Sequence, residues 1–168
     1  MAGKLMGSVL IVLASFCMGY RLSVKEKLRL EELLFFKSAV LKIMSELENN
    51  RATFCEALEA SVNIEDNDIL GAVYNAVKNN NTIKTAWKYA FEENAENSYM
   101  TKEDIQRLSE IGEGFNSGDI MLQKKYVDNG IAYINSQEEN IKTKYDKDKK
   151  VYRSVSVTVG LFIVLLLV

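Results

Sequence analysis

The sequence predicts an all-α protein: a six-helix bundle held between an N-terminal and a C-terminal membrane helix. Three observations carry this. No proline occurs anywhere in the 168 residues, so no ring removes an amide hydrogen where a helix must pass. Apolar residues recur at spacings of three and four, the period of an amphipathic helix, without strand-like alternation bounded by turn residues. Both ends of the chain are apolar runs.

The first run is Leu5 to Tyr20, fenced by Lys4 and Arg21, and the second is Ser154 to Val168. A bilayer core takes roughly 20 helical residues, with about 17 as the usual lower limit. Each run reaches that span when Lys4, Arg21 and Arg153 carry their charges to the interface on long stems. Positive charge near the membrane sets orientation. Arg21, Lys25, Lys27 and Arg29 follow the first run; Lys142, Lys144, Lys147, Lys149, Lys150 and Arg153 precede the second. The expected organisation is a membrane helix over residues 1–22, a cytoplasmic helical bundle over 23–150 and a second membrane helix over 151–168. A cleaved signal peptide is the competing reading. Ala14-Ser15-Phe16-Cys17 resembles a lipoprotein cleavage site, but Phe16 is bulky where a small residue is required, and the basic cluster after Arg21 resists export.

From Leu22 to Asn49 the first helix continues without glycine or proline, presenting Leu30, Leu33, Leu34, Leu41, Met44 and Leu47, widened by Phe36, Val40 and Ile43. Thr53-Phe54-Cys55-Glu56 reads as a capping box opening a second helix. Asp66 or Asn67 caps a third, with Ile69, Leu70, Val73, Tyr74 and Val77 inward; Asn79-Asn80-Asn81 stops it. Thr82 caps a fourth, carrying Ile83, Ala86, Trp87, Ala90 and Phe91. Thr101-Lys102-Glu103-Asp104 is a second box, stapled by Met100 and Ile105, and Leu108, Ile111 and Phe115 continue its helix. After Asn116-Ser117-Gly118 the last helix carries a stripe of Ile120, Val127, Ile131, Ile134, Ile141 and Tyr145. Gly130 weakens that stripe by up to about 1 kcal/mol against alanine.

The composition excludes several classes of function. Net charge is −2 with both signs interspersed, which offers nucleic acid no dense basic face; the two juxtamembrane clusters serve topology and anionic lipid headgroups. There is no histidine, the commonest general base and metal ligand. Cys17 lies inside an apolar run, so Cys55 has neither a disulfide partner nor a zinc cluster. Gly112-Glu113-Gly114 is no phosphate loop, and Glu31-Glu32, Glu92-Glu93 and Glu138-Glu139 are helix neighbours that point about 100° apart. No enzymatic activity, cofactor, metal or small-molecule substrate is expected.

Five residues stand out as partner-binding or structural candidates. Glu46 sits beside Met44 and Leu47, placed either to meet a cationic partner or to pair within the bundle. Trp87 is either a core anchor or a contact hot spot. Asp119, in the first turn of the last helix, meets the helix dipole; Gln123 is four residues on. With Gly112 these two fix the hairpin between the last helices, or form a docking corner.

Three local patterns then identify a family. They are Ser45-Glu46-Leu47 followed by Thr53…Glu56-Ala57-Leu58; Lys84-Thr85-Ala86-Trp87 with the single tryptophan; and Leu108…Ile111-Gly112-Glu113…Phe115 with Asp119…Gln123. Over its whole length the chain resembles the stage III sporulation protein AB family of endospore-forming Firmicutes. It departs at Phe54, where the family often has proline, and at Asn116, where a glycine usually stands. The family's cytoplasmic domain is similar to the helical domains of the inner-membrane platform protein of type II secretion and type IV pilus machines. The resemblance implies a membrane platform in a channel between mother cell and forespore. A secretion-type ATPase would dock on it from the mother-cell cytoplasm, with other sporulation channel proteins and membrane lipid as further partners. The alternative is a membrane-tethered helical spacer with no ATPase partner, a reading that a two-stranded heptad seam would favour; the first helix is apolar too widely for one.

Overall fold

The computed structural model describes the backbone of residues 2–63 and 67–167, and the side chains of residues 24–63, 67–145 and 147. Among these there are seven helices and no strand: α1 (Ala2–Asn49), α2 (Phe54–Ser61), α3 (Asp68–Lys78), α4 (Ile83–Glu93), α5 (Lys102–Ser109), α6 (Ile111–Phe115) and α7 (Ile120–Leu167). The chain divides into two compact units, Met1–Val24 with Ser136–Val168, and Lys25–Asn135. Both terminal runs are helical in backbone, as parts of α1 and α7. The membrane assignments over residues 1–22 and 151–168 depend on side chains outside the described residues. Among the described residues no helix is long and apolar enough to cross a membrane.

Local chemistry starts the short helices. Thr53 Oγ1 accepts from Glu56 N at 3.4 Å while the Glu56 carboxylate accepts from Thr53 N at 2.8 Å, so both halves of the box are made. Hydrogen bonds from Thr53 accordingly hold the Glu56 carboxyl below its ordinary value. Asn67 caps α3, with Oδ1 accepting from Leu70 N at 2.8 Å. Thr82 caps α4 through Thr85 N at 3.3 Å. Each bond satisfies an amide that a helix start leaves without a partner.

The core of the Lys25–Asn135 unit corrects several expected faces. On α1 it is built from Leu33, Phe36, Ala39, Val40, Ile43 and Met44, while Leu41 is 46% exposed. Leu41 follows Val40 by one residue and so points about 100° off that seam. On α7 the buried line is Gln123, Val127, Gly130 and Ile134, and Ile120 lies out of it. Gly130 has a packing reason: a Cβ there would stand 2.5 Å from Ile111 Cδ1. The expected single helix from Lys102 to Phe115 is instead bent at Glu110 into α5 and α6. The Leu108 carbonyl beside the bend accepts the Trp87 indole N–H at 2.9 Å, and Glu113 N reaches back only three residues to the Glu110 carbonyl. A side chain inserted into the ladder is a known cause of a helix kink. Counted as one bent helix, α5–α6 restores the expected six.

Candidate functional site

The most connected polar group of this unit is a carboxylate that no water reaches. Asp104 is fully buried. Arg29 of α1 donates to both its oxygens, Nε to Oδ2 at 2.7 Å and Nη2 to Oδ1 at 2.8 Å. Tyr133 of α7 donates its hydroxyl to Oδ1 at 2.7 Å. Thr101 donates both its amide and its hydroxyl to Oδ2, each at 2.7 Å, completing the α5 capping box. One carboxylate thus ties the start of α5 to both long helices, through charge-assisted bonds in the forked geometry that suits guanidinium.

The electrostatics follow from that crowding. Burial pushes the Asp104 carboxyl up, but the bonds from Arg29, Thr101 and Tyr133 outweigh it and hold the group below its ordinary 3.8. The bond to Asp104 raises Arg29 further above its already high value. Burial, then the neighbouring carboxylate, keeps the Tyr133 phenol protonated well above its usual range. A carboxyl whose folded value lies below its unfolded one stabilises the fold fully above the unfolded value. That contribution disappears as pH falls through the folded one. The melting temperature is therefore expected to be insensitive to Asp104 above about pH 5 and to fall below about pH 4, with a shallower acid limb in Asp104→Asn. Parallel limbs in thermal melts of the two proteins would refute this role for Asp104.

A second cluster forms where α4, α6 and α7 meet. Trp87 is fully buried, with ring centroids 5.5 Å from Phe115, 5.8 Å from Phe91 and 6.2 Å from Phe54. Gly112 lies directly against it: a Cβ there would stand 2.5 Å from Trp87 Cβ. A Cβ on Gly114 would likewise stand 2.5 Å from Tyr126 Cβ. Asp119 is exposed and precedes α7 as its cap, Oδ1 accepting from Met121 N at 2.8 Å, rather than lying within the first turn. Gln123 N donates to the Asp119 carbonyl at 2.9 Å. The Gln123 side chain turns inward, and its Oε1 has no hydrogen-bond partner among the described residues. Glu46 accepts from Asn50 Nδ2 at 2.6 Å, the local pairing of the structural alternative. Glu48, two residues on, reaches Lys124 at 3.7 Å and so sets the end of α1 beside the start of α7.

The sequence matches the family described as Stage III sporulation protein AB (spore_III_AB) over residues 4–168. This chain belongs to the stage III sporulation protein AB family. Among solved structures it is similar to one titled "Stage III sporulation protein AB (SpoIIIAB)", with a TM-score of 0.64 at 14% identity. That likeness covers 71% of this chain and 98% of the solved one. No curated protein matches the chain. Within this sporulation family member the structure brings Trp87 and Gly112 into contact and links Asp119 to Gln123 through the backbone. Glu46 is paired with its own helix end. Asp104 was legible in the sequence only as half of a cap. The one signal in the sequence was aspartate at the third position of the capping box, where glutamate is favoured.

Proposed function

We propose that this sporulation protein is a membrane-anchored, non-enzymatic platform of a secretion-like channel between mother cell and forespore, on which a secretion-type ATPase docks from the mother-cell cytoplasm. The observation that carries the anchoring is that α1 and α7 run antiparallel within the Lys25–Asn135 unit: Lys37 Nζ donates to Asn135 Oδ1 at 2.6 Å, and Glu48 meets Lys124. Each of these two helices carries one of the apolar runs in its sequence, and the basic residues beside both runs favour the same side of a bilayer. Docking is supported by family membership and by the exposed corner at Ile120, Met121 and Leu122, of which Met121 is 75% exposed.

Full-length protein in detergent micelles is expected to retain a purified secretion-type ATPase of a sporulating cell at micromolar concentration. No retention would refute the platform and leave the membrane-tethered spacer. Asp119→Ala is expected to weaken retention and to cost about 1 kcal/mol of stability as a lost cap. Unchanged retention with a lowered melting temperature would make Asp119 a cap alone.

A further inference from the structure

One residue of the Lys25–Asn135 unit holds a backbone conformation that its side chain does not favour. Arg51, two residues past the end of α1, has a φ of 50°. The other non-glycine residue with a positive φ among the described residues is Asn80, and asparagine tolerates that region where most side chains do not. Glycine is the usual occupant of such a position after a helix. An arginine there costs stability, and its guanidinium recovers none of it through a bond. Its side chain is exposed and makes no hydrogen bond or ion pair among the described residues. Strain of this kind gathers at functional positions.

The carboxylates around Arg51 are already committed. Glu46 accepts from Asn50 Nδ2 at 2.6 Å, and Glu48 meets Lys124 at 3.7 Å. The Glu56 carboxylate accepts from Thr53 N at 2.8 Å, and Asp119 Oδ1 from Met121 N at 2.8 Å. The Glu48–Lys124 pair also sets the turn after α1 beside the turn before α7. Arg51, three residues past Glu48, therefore stands at the same end of the unit as the exposed Ile120, Met121 and Leu122. Lys125 and Asp128 follow on the exposed side of α7 and balance each other in charge, so Arg51 sets the sign. This end lies roughly 36 Å along α1 from Lys25, where the chain enters the unit. We propose that Arg51 meets a carboxylate of the docked partner while Met121 enters an apolar socket beside it. The inference rests on the docking reading above and gives the partner surface its chemistry: an apolar socket with an acidic rim. Guanidinium suits a carboxylate through forked bonds, and arginine beside an exposed apolar side chain is a common interface anchor.

The test pairs melting with binding of a purified secretion-type ATPase of a sporulating cell to the full chain in detergent micelles. Arg51→Gly is expected to raise the melting temperature by about 2–4 °C, because the backbone is relieved, and yet to weaken ATPase binding by about fivefold or more. Arg51→Glu, which puts the opposite charge on the same backbone, is expected to weaken it by about tenfold or more. Met121→Ser is expected to weaken it by about fivefold. Raised salt is expected to loosen the wild-type complex more than the Arg51→Gly complex. A lowered melting temperature in Arg51→Gly overturns the proposal, because the cation would then be kept for the dipole at the end of α1. Wild-type affinity in Arg51→Glu overturns it too, since the partner surface is then not acidic, and wild-type affinity in Met121→Ser removes the socket. If Arg51→Glu weakens only binding to phosphatidylserine vesicles, the residue serves lipid and the proposal fails. A wild type that binds the ATPase while both Arg51 variants bind equally well refutes this contact alone. A wild type that does not bind refutes the docking reading and this contact with it.

Discussion

Asp104→Ala is expected to destabilise the Lys25–Asn135 unit by about 3 kcal/mol, the lower end of what breaking a buried ion pair costs. At about 2–4 °C per kcal/mol for a chain of this length, the melting temperature should drop by roughly 6–12 °C. The cost has three sources. Arg29, whose side chain is only 13% exposed, loses its bidentate acceptor and keeps a longer pair with Glu26 at 3.3 Å. The Tyr133 hydroxyl and the Thr101 amide lose their acceptor, and α5 loses half of its cap. The stranded cation dominates, so Arg29→Met in the Asp104→Ala background should recover part of the loss. A double-mutant cycle is expected to show coupling of about 1.5–3 kcal/mol, the range of hydrogen bonds to charged groups. A shift under 2 °C in circular dichroism melts of Asp104→Ala would show that this carboxylate does not fasten the bundle.

Gly112→Ala should be nearly as damaging although it adds one methyl. The new Cβ would lie 2.5 Å from Trp87 Cβ and 2.6 Å from Cγ, atoms anchored at the α4 backbone that cannot swing aside. Helices α4 and α6 must part, which strains the indole bond to the Leu108 carbonyl. Overpacking of this kind costs about 3 kcal/mol. The better helix propensity of alanine returns up to about 1 kcal/mol, leaving a net loss near 2 kcal/mol. Gly118→Ala is the control: nothing stands within 4 Å of its added Cβ and no glycine has a positive φ among the described residues. Its stability should change by less than about 0.5 kcal/mol. Trp87 is the only tryptophan, so its emission reports the parting directly and should shift to longer wavelength in Gly112→Ala alone. Identical melts for the two variants would refute the close approach.

These two variants mark the division between what the chain spells out locally and what packing decides. The helix starts were readable because a cap acts over three residues: Thr53 with Glu56, Thr82 with Thr85 and Thr101 with Asp104 all form as their spacing predicts. The all-helical class and the inward Trp87 were readable for the same reason, since periodicity is a property of one segment. The bend at Glu110 between α5 and α6 was not, because the Trp87 indole that takes the Leu108 carbonyl beside it comes from 21 residues away.

From its own residues the chain determined the helical class and the starts of α2, α4 and α5, all of them products of short-range spacing. Tertiary structure alone decided that Asp104 would gather Arg29 from 75 residues away and Tyr133 from 29. It also decided that Gly112 would be the floor under Trp87, and that Leu41 would face water while Gln123 turned inward. The physical reason is that a helical pattern names a face, whereas its exact centre, and which buried polar groups find partners on it, depend on the helices packed opposite.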